Sequence, residues 1–351
     1  MADNQGSSIQ NPDLTTSNSF PIRSGYQGAV IYETSDGDYL IRTTSCTMVG
    51  SQEITAVDDI DGSIDKTRYY LQPFSAKGAV DFHVDQSNSV DTIDLFNVMF
   101  RDAVKRQADG RLWTRGKNHS LLVRYYPGLV YRFIDVAINR MTISLDVRTP
   151  LKVSCDMMAR GRARPDDTNT DLGTVGYAAP VRVITFNDVS IAVESDTSEL
   201  ATNTREIAKL NAVEGFNLVI DNQLEEVFTV SGDLTPYDLV AKKRNITGAI
   251  NFYGRSDELA DFAEAHELYP RSSVTLAFNV RIGNSTVTLF RLTGVIFKLD
   301  NLQITNGVLK STMNFIALGN QNFGYEGISG LGVNSDEGFN QADGHPYPFS
   351  A

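Results

Sequence analysis

The chain carries one stretch of sequence twice. Tyr131–Gly161 reads YRFIDVAINRMTISLDVRTPLKVSCDMMARG, and Phe290–Gly319 reads FRLTGVIFKLDNLQITNGVLKSTMNFIALG; the two align with one single-residue gap. Upstream of them, Lys77–Val84 (KGAVDFHV) aligns with Thr247–Gly254 (TGAINFYG). A repeat of about 160 residues is too long for a solenoid or propeller module, so we interpret each copy as a whole domain.

The repeat and the composition of the segments around it predict the organisation of the chain. We expect a flexible N-terminal arm over residues 1–21, a first domain over 22–165, a linker over 166–180, a second domain over 181–319 and a Gly-rich C-terminal arm over 320–351. With 351 residues and 41% hydrophobic composition, the chain has enough apolar material for two cores.

Both copies show the signals of β structure with one helix. The apolar spacing of Val90–Arg106 predicts an amphipathic helix, and Asp257–Leu268 is its counterpart in the second copy. Strands are predicted at Gly28–Glu33, Tyr39–Val49, Gly78–Val84, Ser120–Tyr126, Val130–Ile138, Met141–Val147 and Leu151–Ala159, and in the second copy at Val181–Phe186, Val189–Val193, Phe216–Asp221, Glu226–Val230, Gly248–Tyr253, Val274–Ile282, Thr286–Thr293, Val295–Leu299 and Lys310–Leu318. The predicted fold class is mainly β, with two tandem, similar sandwich or barrel-like domains that each carry a flanking α-helix.

Two segments interrupt this pattern. Ser51–Asp65 is interpreted as an exposed loop because four aspartates, Asp58, Asp59, Asp61 and Asp65, surround one glycine. Glu194–Gly215 is a longer excursion that begins with Glu194 and Asp196 and contains the helix-prone TREIAKL. Gly78 and Gly248 open matching strands, where a glycine is typical of a bulge or a close backbone approach, so we assign them a structural role.

The charge of the chain argues against tight binding of nucleic acid. The formal net charge is −12, and residues 166–351 carry 12 basic against 24 acidic side chains, whereas residues 22–165 carry 19 against 17. Affinity for a phosphate backbone depends on Lys and Arg. The basic cluster Arg160, Arg162 and Arg164 could touch nucleic acid, but it has no interleaved aromatic residues, so a subunit contact or a solvated edge is the preferred interpretation.

No residue pattern predicts catalysis, a metal site or a cofactor. Cys46 and Cys155 are expected to be buried and reduced, and the four histidines lack metal-ligand spacing. DDIDGSID lacks the closing Glu of a calcium loop. The N-terminus does not resemble a signal peptide and no apolar run is long enough for a membrane helix, so we expect a soluble protein without membrane contact.

One block of the second copy resembles a known family. DLTPYDLVAKKRNITGAINFYG (Asp233–Gly254) combines a Pro-containing lead, a basic stretch and a TGxxxF strand, and is similar to the corresponding block of tail tube proteins from tailed bacteriophages. Its continuation, Phe290–Gly319, looks like the final strands of the same domain.

The resemblance implies a fold similar to that of the secretion-tube protein Hcp and a structural virion protein without enzymatic activity. Duplicated members of this class form pseudo-hexameric rings from three chains, which stack around a DNA-conducting channel. Expected partners are the chain itself and the tail sheath, tape measure, baseplate and terminator proteins, in a tail assembled in the host cytoplasm. Contacts between rings or subunits are expected at Asp58, Asp59, Asp61, Asp65, Glu194 and Asp196.

Two other interpretations stay open at this point. The chain could be a tube-like baseplate or tail-terminator component that forms a single ring, or a carbohydrate- or host-binding β-sandwich module. The first predicts rings that do not polymerise, and the second predicts a monomer with an exposed aromatic platform.

Overall fold

The computed structural model describes residues 29–34, 37–57, 68–85, 91–104, 119–126, 129–163, 182–195, 206–210, 213–230, 233–242, 244–253, 274–282, 285–305, 308–317 and 328–330. The predicted N-terminal arm, the linker over 166–180 and the helix at Asp257–Leu268 lie outside them. We refer to residues 29–163 as the N-terminal half and to residues 182–330 as the C-terminal half.

The described residues form twenty strands, one α-helix and a short 3-10 turn at Phe186–Asp188. The strands are β1 Ala29–Thr34, β2 Gly37–Ile41, β3 Thr43–Cys46, β4 Val49–Ser51, β5 Ile54–Val57, β6 Arg68–Leu71, β7 Ser75–His83, β8 Ser120–Tyr126, β9 Leu129–Asp146, β10 Thr149–Ala163, β11 Val189–Ser195, β12 Glu206–Leu210, β13 Val213–Asp221, β14 Leu224–Val227, β15 Asp238–Ala241, β16 Asn245–Tyr253, β17 Val274–Ile282, β18 Ser285–Thr305, β19 Val308–Ala317 and β20 Ile328–Gly330. The helix α1 spans Asp91–Val104. The mainly β fold class and the first predicted helix are confirmed.

Several local predictions need correction. The two strands predicted on either side of Asn139 are one continuous strand, β9, and the pair predicted around Gly294 is likewise one strand, β18. Conversely, the strand predicted at Tyr39–Val49 is divided among β2, β3 and β4, and the described part of Val181–Phe186 forms isolated bridges rather than a strand. Part of the predicted Ser51–Asp65 loop is strand, because β5 pairs with β6 in a hairpin. Glu206–Leu210, within the segment TREIAKL, forms the strand β12 rather than a helix, because its backbone pairs with the edge of β11 and tertiary pairing overrides local propensity.

Most strands belong to one antiparallel sheet in which the two halves follow the same order. The N-terminal half runs β2-β1-β8-β9-β10-β7-β3 and the C-terminal half runs β12-β11-β17-β18-β19-β16-β13. Each half adds a small hairpin, β5–β6 and β14–β15 respectively, directly before the strand that begins with the matched KGAV or TGAI segment. The halves meet where β13 pairs with β9.

A single hydrophobic core extends through both halves. The apolar face of α1 is buried in it, as its spacing of apolar residues predicts. Phe96 and Phe100 of α1 pack against Phe290 of β18, with ring centroids 6.4 Å and 5.3 Å apart. The helix of the N-terminal half therefore packs against the C-terminal half as well as its own.

Irregularities of the backbone recur at matching places. The register between β3 and β7 shifts between Thr43 and Ser45, and the register between β13 and β16 shifts between Val213 and Gly215. A β-bulge bends the strand and increases its twist at one point. The edge strands of the two halves are therefore bent at the same position.

Gly78 and Gly248 lie where the neighbouring strand comes closest. A Cβ atom on Gly78 would lie 2.6 Å from the backbone nitrogen of Met48, and one on Gly248 would lie 2.7 Å from Cε1 of Phe315. These distances are shorter than van der Waals contact allows. Neither position has room for a side chain.

Candidate assembly interface

The two halves are joined by a strand-to-strand seam. β13 of the C-terminal half pairs antiparallel with the last part of β9, from Gly215 opposite Asp146 to Asp221 opposite Arg140. The backbone nitrogen of Val147 donates to the carbonyl of Glu214 and extends the seam by one bond. The seam joins a long inner strand of one half to the edge strand of the other.

The seam has one apolar and one polar face. Its apolar face points into the core and contains Ile143, Leu145, Phe216, Leu218 and Ile220, all buried. Because side chains alternate along a strand, the residues between them point to the other face. That face carries Arg140, Thr142, Ser144, Asn217 and Asp221, and it is partly or fully exposed.

Charges on the polar face are paired. Asp81 of β7 lies 2.9 Å from Nζ of Lys152 and accepts hydrogen bonds from Ser45 and Ser154. Burial tends to raise the pKa of Asp81, but the hydrogen bonds from Ser154, Lys152 and Ser45 outweigh it, so the pKa is lowered. Asp81 is therefore a paired anion at neutral pH.

Asn222 closes one end of the seam. Its side chain is fully buried, and its Nδ2 donates to the carbonyls of Ala103 at the end of α1 (3.0 Å) and Ile138 in β9 (2.8 Å). Its Oδ1 accepts from Nε of Arg244 at 2.6 Å. One amide thus connects the helix, the long strand and the C-terminal half.

The β14–β15 hairpin forms a second contact between the halves. It covers part of the polar face of the N-terminal half, where Leu239 packs on Ala137 and Met158. Leu239 has no exposed surface, and Met158 is 5% exposed. Removing such apolar surface from water favours the contact.

Polar contacts surround this apolar patch. Glu226 of the hairpin accepts from Oγ of Ser75 (2.8 Å) and Nζ of Lys77 (2.9 Å). The backbone nitrogen of Phe74 donates to the carbonyl of Leu234, and Nε of Arg160 donates to the carbonyl of Pro236. We name the β14–β15 hairpin and its contacts with the N-terminal half the inner clasp.

At each far end of the described sheet lies a strand that is equivalent to one of the two seam strands. Within the described ranges, each of these outer strands has one side without a partner strand. There, β3 and β4 pair with β7 alone, and β18 beyond Val295 pairs with β19 alone. In the inner seam, the equivalents of these strands, β13 and β9, pair with each other. The two ends of the chain thus expose the two complementary sides of the same kind of seam.

A family model for phage tail tube proteins matches residues 16–325. The match includes both halves and the seam between them. The chain belongs to the phage tail tube protein family. No curated protein matches it. Membership assigns this tube protein a structural role in the virion tail, and it confirms the resemblance seen in Asp233–Gly254 and Phe290–Gly319.

Of the residues predicted to make contacts between rings or subunits of the tube protein, only Glu194 lies within the described residues. Asp58, Asp59, Asp61, Asp65 and Asp196 lie outside the described residues, and Glu194 lies in β11, opposite Thr275 of β17. The sequence predicted a strand at Glu226–Val230 but no partner strand for it, so the inner clasp was missed.

The basic cluster of the tube protein makes contacts within the chain. Arg160 forms an ion pair with Asp135, and Arg162 donates to the carbonyl of Gly50 and lies over the rings of Tyr131 (4.7 Å) and Phe74 (5.8 Å). Arg164 lies outside the described residues. Two of the three guanidinium groups therefore connect strands within the chain, a role that the sequence analysis did not predict.

His119 takes part in a buried polar group near α1. Its Nδ1 lies 3.1 Å from Oδ2 of Asp102, and the hydroxyl of Tyr32 donates to the same oxygen at 2.9 Å. All three side chains are largely shielded from solvent. They fix the end of α1 to β1 and to the start of β8.

Burial raises the pKa of both thiols of the tube protein, at Cys46 and more strongly at Cys155. A thiol kept protonated is a poor nucleophile and a poor metal ligand.

In the described part of the chain, no helix has the length and apolarity to cross a membrane.

Proposed function

We propose that this chain is the major subunit of a phage tail tube, a duplicated protein of which three copies close a ring of six similar modules. The rings stack around a channel that conducts DNA. The observation that carries the proposal is the seam between β13 and β9 inside one chain, which joins two similar modules head to tail.

The duplication rests on more than the sequence repeat. The two halves share strand order, a bulge at Thr43–Ser45 and Val213–Gly215, and a close approach at Gly78 and Gly248. Unrelated β domains have no reason to share all three features. Gene duplication and fusion of one tube module accounts for them together.

The type of contact supports a ring. The seam is heterologous, because a long inner strand of one module meets the edge strand of the next. A heterologous contact repeated by rotation closes into a ring when the rotations add up to a full turn, and the proposed ring completes that turn with six modules. In the ring, β18 of one chain pairs with β3–β4 of the next, which also removes an exposed edge that would otherwise promote aggregation.

The channel side of the ring is the polar face of the sheet, since α1 packs on the other face. Arg140, Lys152, Asp81, Asp156 and Asp221 lie on it. Burial raises the pKa of Asp156 and nearby Arg140 opposes this effect. Lys152 is paired with Asp81, and the whole chain carries a net charge of −12, so the channel attracts a phosphate backbone only weakly and DNA passes without specific binding.

The remaining parts of the proposal concern partners. We assign contacts between rings to Asp58, Asp59, Asp61, Asp65, Glu194 and Asp196, and contacts at the tube ends and surface to terminator, baseplate, sheath and tape measure proteins. Assembly takes place in the host cytoplasm before the tail joins the virion. The flanking arms over 1–21 and 320–351 extend these contacts.

Negative-stain electron microscopy of the purified protein tests the proposal. The expected result is hollow filaments with threefold-averaged end views that show six similar lobes, and native mass spectrometry of short assemblies should give masses in multiples of three chains. Single rings that never elongate would favour a baseplate or terminator component. A monomer at all concentrations would contradict the proposal.

A further inference from the structure

The β5–β6 hairpin carries large apolar side chains on its surface. Tyr69 is 70% exposed, and Ile54, Tyr70 and Leu71 are also exposed. Hydrophobic side chains grouped on a surface are typical of an interaction site. In the corresponding hairpin of the other half, β14–β15, Leu239 is fully buried.

Strand pairing fixes the correspondence between the two hairpins. Ile54 pairs with Leu71 and Ala56 with Tyr69; Leu224 pairs with Ala241 and Glu226 with Leu239. The base of each hairpin is closed by the same backbone bond, from Gln72 to Glu53 and from Lys242 to Gln223. Tyr69 therefore occupies the place of Leu239.

The receiving surface of the inner clasp also has a counterpart. Met157 pairs with Gly78 and Phe315 with Gly248, so the next residue along each strand, Met158 or Ile316, occupies the same place. Met158 pairs with Ala137, and Ile316 pairs with Ile296. Ile316 is 52% exposed, whereas Met158 is covered by Leu239.

We propose that the β5–β6 hairpin of one chain packs on Ile296 and Ile316 of the next chain, with Tyr69 as the apolar anchor. This outer clasp rests on the proposed ring, in which β3–β4 of one chain meets β18 of the next. The outer clasp lies beside the seam between two chains, just as the inner clasp lies beside the seam between β13 and β9 within one chain.

On both sides of the contact, the sequence differs from that of the inner clasp. These differences indicate that the occupant is a second copy of this chain. Where the inner clasp has Glu226 against Lys77, the outer clasp has Ala56 and Thr247, so both charges are absent together. Where the inner receiving surface has Arg160 and Asp135, the outer one has Leu318 and Gly294.

A partner with a charged surface would find no counterion at these four positions. An apolar hairpin that presents Tyr69, Ile54 and Leu71 matches a receiving surface of Ile296 and Ile316. Continuity with the inner clasp and the simultaneous loss of charge on both sides therefore favour another copy of the chain over an unrelated protein.

Cysteine cross-linking tests the outer clasp. In a background with Cys46→Ser and the buried Cys155 retained, Tyr69→Cys and Ile316→Cys are combined in one chain and treated with a short bismaleimide. Denaturing electrophoresis should show dimers and then closed trimers, because each chain is linked to the next.

Two matched variants complete the experiment. Lys77→Cys with Glu226→Cys, at the ion pair that borders the inner clasp, should cross-link within one chain and run as a monomer, which also reports that the background folds. Tyr70→Cys with Ile316→Cys should give at least tenfold less trimer than Tyr69→Cys, because neighbouring residues of a strand point to opposite faces.

The outcomes separate the clasp from the ring. Rings or tubes in the electron microscope without cross-linking between residues 69 and 316 would overturn the outer clasp and leave the proposed function standing. Absence of rings in the unsubstituted protein would overturn both. Hydrogen exchange on the unsubstituted protein gives a second reading, in which residues 68–71 must gain protection on assembly; unchanged exchange in intact tubes would also overturn the clasp.

Discussion

Asp135 in β9 and Gly294 in β18 both have a left-handed backbone, with φ of 54° and 66°. Asp135 directly precedes Val136, which pairs with Ala159, and Gly294 directly precedes Val295, which pairs with Ala317. The two alanines occupy equivalent positions in the two halves. Glycine adopts this conformation without strain, whereas Asp pays a steric penalty that local polar contacts reduce. The ion pair of Asp135 with Arg160 supplies such a contact, and the C-terminal half combines Gly294 with Leu318.

This relationship predicts a non-additive pair of substitutions. Arg160→Leu removes the cation beside a largely buried carboxylate and should lower the free energy of unfolding by roughly 2 kcal/mol. Asp135→Gly with Arg160→Leu reproduces the glycine–leucine pair and should recover most of that loss. Urea unfolding of the three variants measures the effect. A double variant as unstable as the sum of both single variants would contradict the account.

Gly78 and Gly248 should not tolerate alanine. A Cβ atom would collide with Met48 or with Phe315, so Gly78→Ala and Gly248→Ala should each destabilise the protein by about 1–3 kcal/mol. Gly161→Ala is the control, because the nearest atom to its added Cβ is 4.0 Å away. Thermal unfolding should separate the control from both test variants. Equal melting temperatures for all three would show that the strands are less closely packed.

Asn222 should matter more than its counterpart Gln52. Asn222→Ala leaves the carbonyls of Ala103 and Ile138 without this donor in a buried site, and should cost about 1–3 kcal/mol. Gln52 is exposed and bonds the carbonyl of Gln72, so Gln52→Ala should change stability by less than about 0.5 kcal/mol. Chemical denaturation checks both. Equal effects would mean that the amide does not hold the halves together.

The two thiols should differ in reactivity. Burial raises the pKa of Cys155 strongly and that of the half-buried Cys46 less, and the thiolate is the reactive form. A raised pKa keeps a thiol protonated and unreactive up to a higher pH. At about pH 8, a thiol reagent should therefore label Cys46 slowly and Cys155 only after unfolding. Mass spectrometry of labelled peptides reads both sites. Rapid native labelling of Cys155 would contradict its burial.

The sequence predicted the repeated elements because their signals are local. The apolar spacing of Val90–Arg106 and the apolar run Leu121–Val123 within Ser120–Tyr126 each depend on contact with the core, and both elements appear as predicted. The strand breaks expected near Asn139 and Gly294 do not exist, because bulges in the middle of a long strand look like turns in sequence.

The contacts between the halves could not be predicted in the same way. TREIAKL contains helix formers, but its residues Glu206–Leu210 form β12, because pairing with β11 satisfies their backbone groups. Glu226 looks like a solvated charge until Ser75 and Lys77 are placed beside it, from more than a hundred residues earlier in the chain. Such partners are set by sheet topology, which local periodicity does not contain.

Leu239 and Tyr69 should have opposite phenotypes although they occupy equivalent places. Leu239→Ala removes a fully buried side chain from the inner clasp and should lower the stability of the single chain by about 2–3 kcal/mol. Tyr69→Ala removes an exposed side chain, so the single chain should keep its stability while assembly into rings weakens at least tenfold. Tyr70→Ala, one residue along the same strand, is the control for exposure alone. Sedimentation velocity and urea unfolding give the two readings, and a Tyr69→Ala protein that assembles as well as the Tyr70→Ala control would remove the anchor role from Tyr69.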